Sequence, residues 1–135
     1  MRTLVADAFD TNVVLYLLSS DAAKANRAAQ LLERGGTISV QVLNEFTAVA
    51  VRKFGMKISE IRELLATVRQ SCEVTPLDVT THEQALELAE RYRMSIYDAL
   101  IVAAALRADC TTLWTEDLHH GRKFQRLTIR NPFIG

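Results

Sequence analysis

An apolar run interrupted by two acidic residues lies near the start of the sequence, Thr3-Leu4-Val5-Ala6-Asp7-Ala8-Phe9-Asp10-Thr11-Asn12-Val13-Val14-Leu15. Its apolar residues over 4–9 predict a short buried strand, and residues 11–18 predict a short helix or turn that leaves the strand. Asp10 stands at the junction of the two elements. A carboxylate in apolar surroundings costs free energy unless another group pairs with it, so this position needs an explanation.

Three more acidic residues stand in comparable apolar surroundings. Glu45 lies within Ile38-Ser39-Val40-Gln41-Val42-Leu43-Asn44-Glu45-Phe46. Asp98 begins the most apolar stretch, Asp98-Ala99-Leu100-Ile101-Val102-Ala103-Ala104-Ala105-Leu106, and Asp117 ends Thr112-Leu113-Trp114-Thr115-Glu116-Asp117. Clustered carboxylates repel one another, and a divalent cation between them removes that cost. The four acids together therefore indicate a shared cation and a metal-dependent enzyme.

The composition is that of one globular domain. The 135 residues suffice for a single core, and 49% hydrophobic with 24% charged residues are ordinary values. The formal net charge of zero argues against a protein that coats nucleic acid by charge alone. A net charge of zero is still compatible with an enzyme that has a local basic surface. We expect a single domain over residues 1–135.

Targeting and membrane-spanning patterns are not evident in the sequence. No apolar run approaches the roughly 18 residues that cross a bilayer, and no apolar segment precedes a small-residue cleavage site. Cys72 and Cys110 form no CxxC motif and are expected to be buried, reduced thiols. We therefore expect a cytoplasmic protein that does not bind a membrane.

Strand-like and helix-like segments alternate along the chain. After the first strand, further strands are predicted at 37–39, 72–76 and 111–114, with a fifth at 127–129. Helices are predicted to end near residues 34, 54, 70, 93 and 107, and their expected N-terminal caps are Asp21, Ser39, Ser59, Thr80 and Ser95. This alternation predicts an α/β fold with a mostly parallel sheet of four to five strands covered on both faces.

The predicted elements bring the four acids toward one edge of the sheet. Asp10 and Asp117 follow strands, Glu45 lies about a turn and a half into its helix, and Asp98 lies in a first turn. Ligands of such sheets bind beyond the carboxyl ends of the strands. Each acid also has a structural interpretation, because Asp10 can be an N-cap, Asp98 a capping-box residue after Ser95, and Asp117 a first-turn acid.

The available residue types limit the chemistry. Carboxylate oxygens suit Mg²⁺ or Mn²⁺, and no set of Cys and His residues has the spacing of a zinc site. A hard cation suits phosphodiester hydrolysis, because it lowers the pKa of a bound water and stabilises charge on the attacking and leaving oxygens. Neither a Ser or Cys nucleophile with a His partner, nor a GxGxxG motif, nor a P-loop is evident.

Four segments, in order, resemble the motifs of PIN-domain nucleases. They are Phe9-Asp10-Thr11-Asn12-Val13-Val14-Leu15-Tyr16, Ser39-Val40-Gln41-Val42-Leu43-Asn44-Glu45-Phe46, Ser95-Ile96-Tyr97-Asp98-Ala99-Leu100-Ile101-Val102-Ala103-Ala104-Ala105 and Leu113-Trp114-Thr115-Glu116-Asp117-Leu118. The order and spacing match over essentially the whole chain. The short, single-domain format is similar to VapC-type toxins of toxin–antitoxin pairs.

The resemblance implies a three-layer α/β/α sandwich and a Mg²⁺- or Mn²⁺-dependent endoribonuclease that hydrolyses RNA. It also implies a homodimer and inhibition by a VapB-like antitoxin. Carried onto this sequence, it implies four metal-site acids, Asp10, Glu45, Asp98 and Asp117. It further implies supporting polar residues at Thr11, Asn12, Ser95, Thr115 and Glu116.

Some alternatives stay open. Asp7 is interpreted as facing a strand edge or solvent, and Asp117 is preferred to Glu116 as the fourth acid because successive side chains point in different directions. The functional alternatives are a catalytically silent PIN fold that only binds a partner and a receiver-like signalling domain. The latter is disfavoured because no predicted strand ends in Lys. The basic candidates for RNA contacts, none of them assigned, are Arg52, Lys53, Arg91, Arg93, Arg107, Arg122 and Lys123.

Overall fold

A computed structural model of the chain describes residues 6–134. The six strands in this range are β1 Asp7–Phe9, β2 Gly36–Ser39, β3 Cys72–Thr75, β4 Thr112–Trp114, β5 Lys123–Phe124 and β6 Leu127–Arg130. The six α-helices are α1 Thr11–Leu15, α2 Ala22–Arg34, α3 Val40–Phe54, α4 Ile58–Ser71, α5 Val79–Tyr92 and α6 Ile96–Arg107. A 3₁₀ turn, Tyr16–Leu18, follows α1. The first two residues of the predicted first strand lie outside the described range.

The strands form one sheet in the order β3-β2-β1-β4-β6-β5. Every neighbouring pair is parallel except β5 and β6, which are antiparallel. The chain runs outward from β1 to β2 and β3, and then crosses back to place β4 on the other side of β1. The carboxyl ends of β1 and β4 therefore flank a topological switch point, where ligands of such sheets bind.

The helices form an outer layer on each face of the sheet. Helices α1 to α4, which connect β1 to β3, contact one another, and α5 packs closely against α6. Because parallel crossovers are right-handed, the reversal of direction after β3 places α5 and α6 on the opposite face. The predicted three-layer α/β/α sandwich is confirmed.

The sheet has six strands where the sequence predicts four to five. The additional strand, β5, has only two residues and pairs with β6 through a turn in which Gln125 has a φ of 55°. Two residues are too few to show the alternation of apolar and polar side chains by which a strand is recognised.

Helix α6 lies at the centre of the core. All eight residues from 99 to 106 are buried, which explains why this stretch is the most apolar in the chain. A helix that is apolar on every side is one that other elements cover completely. Cys72 and Cys110 are buried free thiols, as predicted. None of the helices within residues 6–134 has the length and apolar character needed to cross a bilayer.

Three of the predicted helix caps are confirmed. The Asp21 carboxylate accepts hydrogen bonds from backbone N–H groups at the start of α2. The Ser39 hydroxyl accepts from the Val42 N–H, and the Ser95 hydroxyl accepts from the Asp98 N–H. These side chains satisfy N–H groups that have no partner within the helix.

Two predicted caps, Ser59 and Thr80, are wrong. Helix α4 begins one residue before Ser59, and its N-cap is Lys57, whose N–H donates to the Glu60 carboxylate at 2.9 Å. Helix α5 begins after Asp78, which accepts from both the N–H and the hydroxyl of Thr81 at 2.8 Å. In each case, a nearby carboxylate bonds the free N–H group and moves the helix start upstream.

Candidate active site

Asp10 links the end of β1 to the start of α1. Its carboxylate accepts a hydrogen bond from the Thr11 N–H at 2.6 Å and another from the Thr115 hydroxyl at 2.7 Å. The side chain is buried, with only 4% of the residue exposed. Asp10 therefore does cap a helix, but the bond from Thr115 also fixes it to the segment that follows β4.

Asn12 and Thr115 hold the loop after β4 against the start of α1. The Asn12 amide donates to the Thr115 hydroxyl at 3.1 Å and to the Asp117 carboxylate at 3.0 Å. The Thr115 hydroxyl in turn accepts from the Asp117 N–H at 3.0 Å. These bonds bring Asp117 to the same edge of the sheet as Asp10. The loop there is irregular, so Asp117 is not in the first turn of a helix.

Glu45 reaches the site from α3 and is held by two polar side chains. The Thr11 hydroxyl donates to one carboxylate oxygen, and the Gln41 amide donates to the other, each at 3.4 Å. Gln41 is buried and lies one helical turn before Glu45. Gln41 was not among the predicted site residues, although its i to i+4 spacing from Glu45 is a signal that could have identified it.

Burial and mutual repulsion disfavour the charged form of Asp10. Burial raises the pKa of Asp10 to about 6, against the opposing hydrogen bonds from Thr115 and Thr11. The charges of Asp117 and Glu45 contribute smaller parts of the same rise. Asp10 therefore experiences the field of at least two other acids of the set.

Glu45 is half-buried and is repelled by other acids in the same way as Asp10. Burial raises the pKa of Glu45, bonds from Gln41 and Thr11 oppose the rise, and the charges of Asp98 and Asp117 add to it. All four acids are thus connected by electrostatic repulsion at one edge of the sheet.

Asp98 joins this set from the first turn of α6. Burial raises the pKa of Asp98, a hydrogen bond from Ser95 lowers it, and the Asp117 charge raises it again. Ser95 therefore has two functions, because it caps α6 through the Asp98 N–H and also favours the ionised Asp98 side chain.

The donor atoms of the four carboxylates are of the type that a hard divalent cation prefers. They supply only oxygen donors, and their repulsion is the cost that a cation removes. No three Asp, Glu, His or Cys side chains within residues 6–134 are close enough to hold one ion in the observed conformation. Side-chain movements would be needed to bring the acids around a cation.

Glu116 points away from the other acids. Its carboxylate accepts a hydrogen bond from the Tyr16 hydroxyl and lies 4.0 Å from Lys24 Nζ. Burial and the bond to Glu116 raise the pKa of Tyr16 to about 12, so this hydroxyl remains a donor. The arrangement favours Asp117 over Glu116 as the fourth acid. Tyr16 and Lys24 were not among the predicted site residues.

Asp7 does not belong to the acid set, although it also does not face open solvent. Its carboxylate accepts a hydrogen bond from the indole N–H of Trp114 at 3.1 Å, across the β1–β4 pair. The prediction that Asp7 points to a strand edge or to solvent missed this bond, because its partner is distant in sequence. Trp114 is itself buried, with only 4% of the residue exposed.

The PIN domain family matches residues 8–126 of the chain. The chain belongs to the PIN domain family. This match removes the receiver-like alternative, and it spans the segments that carry all four acids. A comparison with curated protein sequences found no significant match.

Solved structures share the fold of this PIN domain at low sequence identity. A toxin–antitoxin complex from Klebsiella pneumoniae matches with a TM-score of 0.70 and 20% identity, covering 94% of this chain and 98% of that chain. VapBC2 from Rickettsia felis, bound to a promoter DNA fragment, has a TM-score of 0.67 and 19% identity, with coverage of 93% and 97%. VapC20 from Mycobacterium tuberculosis, a toxin that cleaves the sarcin–ricin loop, has a TM-score of 0.64 and 21% identity, with coverage of 79% and 86%.

Two of the basic residues considered from the sequence of this PIN domain are engaged by other side chains. Arg107 is paired with Asp78 at 3.2 Å, and Arg122 lies over the rings of Tyr92 and Phe124. Lys24, which was not among those candidates, contacts Glu116, the neighbour of Asp117 in the sequence.

Proposed function

We propose that this PIN domain is a Mg²⁺- or Mn²⁺-dependent endoribonuclease that hydrolyses RNA phosphodiesters. One observation carries the proposal: acids from four separate segments lie near the switch point of the sheet, close enough for their charges to repel one another. The pKa values of Asp10, Glu45 and Asp98 are each raised in part by another member of the set. A protein tolerates such repulsion where a cation is needed for function.

The polar residues around the acids position them for this chemistry. A divalent cation at the acids would supply a water of lowered pKa and stabilise the charge that develops on the phosphodiester oxygens. Asp10 is fixed by two hydrogen bonds, Asn12 holds Asp117, and Thr11 supports Glu45. Such supporting bonds orient ligands and typically change metal affinity or activity by about 10- to 100-fold when removed.

We extend the proposal to a cytoplasmic toxin that forms a homodimer and is inhibited by a VapB-like antitoxin. The support is the fold shared with the K. pneumoniae and R. felis toxin–antitoxin complexes. Exposed apolar side chains at Val51, Phe54 and Ile58 also leave surface for a protein partner where α3 ends and α4 begins. Light scattering of the purified chain tests the dimer, and co-purification with a neighbouring small gene product tests the antitoxin.

The decisive experiment is incubation of the purified protein with total RNA in Mn²⁺, Mg²⁺ or EDTA. We expect cleavage with either metal and none in EDTA. Asp10→Asn and Asp98→Asn should remain folded and lose at least about 100-fold of the activity, because each removes a charged oxygen donor. Asp109→Asn is the matched control, because Asp109 is exposed and lies at the opposite end of α6 from Asp98.

Cleavage that survives EDTA and both substitutions would contradict the proposed mechanism. A folded protein that cleaves no RNA with either metal would favour the alternative of a catalytically silent PIN domain that binds a partner. Circular dichroism of every variant separates a loss of chemistry from a loss of fold.

A further inference from the structure

A basic groove of about 690 Å³ lies between α2 and the segment that follows β6. Its walls include Lys24, Arg27, Trp114, Arg130 and Phe133, with Asp21 as the acidic member. Three cations thus face one acid in a chain whose formal net charge is zero. The positive charge of this groove is therefore a local feature and not a reflection of the overall composition.

The two arginines of the basic groove are held in place by an aromatic ring. The guanidinium carbons of Arg27 and Arg130 lie 5.7 and 4.7 Å from the Trp114 ring centroid. Arg27 Nε donates to the Pro132 carbonyl at 3.0 Å. Among the described residues, neither arginine forms an ion pair with a carboxylate. Their remaining N–H groups are available, and stacking limits the entropy lost when they bind an anion.

A second pocket, of about 290 Å³ between α5 and α6, is a contrasting case. It is also lined by arginines, but two of them are already paired. Arg107 binds Asp78 at 3.2 Å, and Arg126 binds Asp109 at 2.6 Å. The basic groove is therefore the better candidate for an anionic ligand.

The basic groove is joined to the acid set through the loop that follows β4. The Arg130 carbonyl accepts a hydrogen bond from the Thr115 N–H at 3.0 Å, and the Thr115 hydroxyl bonds Asp10. Lys24 Nζ lies 4.0 Å from the Glu116 carboxylate, which is adjacent in sequence to Asp117. A polymer with regularly spaced phosphates that occupies the acid set would next meet Lys24 and the arginines.

We propose that the basic groove binds the backbone of single-stranded RNA next to the scissile phosphodiester, an inference that rests on the proposed nuclease function. Planar guanidinium groups match the geometry of phosphate oxygens. The half-buried Phe133 ring, with Lys24 Nζ 5.2 Å from its centroid, supplies an aromatic wall of the kind on which unpaired bases stack. The mixture of unpaired cations and aromatic surface fits a single strand better than a free phosphate ion.

Binding of a fluorescent single-stranded RNA oligonucleotide, measured in EDTA to prevent cleavage, tests the proposal. Arg27→Gln and Arg130→Gln should each weaken binding about fivefold at 0.1 M salt, because each removes one phosphate contact. The slope of log K against log salt should become shallower by about 0.7 for each contact. Lys24→Gln provides a variant that leaves the Trp114 packing intact. Arg62→Gln and Arg69→Gln, at exposed positions on α4, are the charge-matched controls.

Affinity and salt slope equal to those of the wild type in the three groove variants would overturn the proposal. Variants that bind RNA normally but lose a protein partner would overturn it as well, because the groove would then serve that partner. If the wild type binds RNA through the groove but cleaves none with Mn²⁺ or Mg²⁺, the nuclease function fails and the binding groove stands. If the wild type cleaves RNA while the groove variants bind RNA normally, only the groove proposal fails, and the proposed nuclease function stands.

Discussion

The two neighbouring acids Glu116 and Asp117 show how individual contacts separate residues that the sequence presents as equivalent. Glu116 is bound by Tyr16 and Lys24, whereas Asp117 is bound by Asn12 and repels Asp10. Glu116 therefore contacts a lysine of the basic groove, whereas Asp117 belongs to the acid set. At this scale, the function of a carboxylate depends on which donor holds it.

Substitution of these two acids should have unequal consequences. Asp117→Asn is expected to lower RNA cleavage by at least about 100-fold, because it removes one oxygen donor from the acid set. Glu116→Gln should stay within about threefold of the wild type, because its amide oxygen can still accept the Tyr16 hydrogen bond. Initial cleavage rates at saturating Mn²⁺ check both values. The opposite ranking would assign the fourth position to Glu116.

The sequence was sufficient to predict that four acids lie near one edge of the sheet, but not all the residues that hold them, and the role of the acids as metal ligands stays a prediction. Asp10, Glu45, Asp98 and Asp117 could be identified because charge interrupts apolar sequence at each position, and the structure brings all four to one edge. The contacts of Tyr16 and Lys24 with Glu116 join segments about a hundred residues apart. No local pattern predicts such contacts, because they arise only from the pairing of strands.

At the scale of elements, strand β2 depends on a glycine at its first position. Gly36 has a φ of 153°, and a Cβ atom there would lie 2.5 Å from the Asp7 carbonyl oxygen and 2.7 Å from the Phe9 ring. Both neighbours belong to the central strand β1, so neither can move without disturbing the sheet. The glycine is required for the close approach of the two strands.

Gly36→Ala should therefore destabilise the protein strongly. We expect a loss of about 2–4 kcal/mol in the free energy of unfolding, because the methyl group clashes with backbone in addition to straining φ. Urea denaturation provides the measurement. Gly121→Ala is the control, since its φ of 88° is also positive but nothing lies within 4 Å of the added Cβ. Equal losses in both variants would show that the clash contributes nothing.

The helix starts were predictable where the capping side chain lies close in sequence to the N–H groups that it bonds. Asp21, Ser39 and Ser95 act on N–H groups within the next three residues, so sequence spacing identifies them. Ser59 and Thr80 were wrong because Glu60 and Asp78 bond the free N–H groups at an earlier helix start. Strand β5 is formed through its pairing with β6, so the sequence of residues 123–124 alone could not predict it.

At the scale of the whole molecule, the alternation of strands and helices predicted the layered fold. The order of the strands was not predictable in the same way, since it depends on the direction in which each crossover turns. That order places β1 and β4 side by side and thereby creates the switch point at which the acids meet. The site is thus a property of the topology as much as of its residues.

The stability of the whole molecule should depend on pH through its acids. The pKa of Asp10 is raised to about 6 in the folded state, from 3.8, so the folded protein retains a proton that the unfolded chain loses between these values. In EDTA, the contribution of Asp10 to the free energy of unfolding should therefore fall by about 2 kcal/mol as pH rises from 4.5 to 7.5. Asp10→Asn should remove most of this decrease.

Divalent cations should reverse the effect. At pH 7.5, Mn²⁺ at about a hundredfold its dissociation constant should stabilise the wild type by about 2.7 kcal/mol, and Asp10→Asn much less. Urea unfolding at the two pH values, with EDTA or Mn²⁺, measures both quantities. A wild type whose stability rises between pH 4.5 and 7.5 in EDTA would contradict the raised Asp10 pKa.

The hydrogen bond between Thr115 and Arg130 has a consequence for the order of events during synthesis. The bond joins the loop of Asp117 to the end of β6, and Thr115 in turn holds Asp10. A ribosome makes the acids at positions 10, 45 and 98 long before this strand exists. On the proposed function, the nascent chain carries three of its four acids before the site is assembled, and we expect it to cleave RNA only after β6 has been made and has docked beside β4.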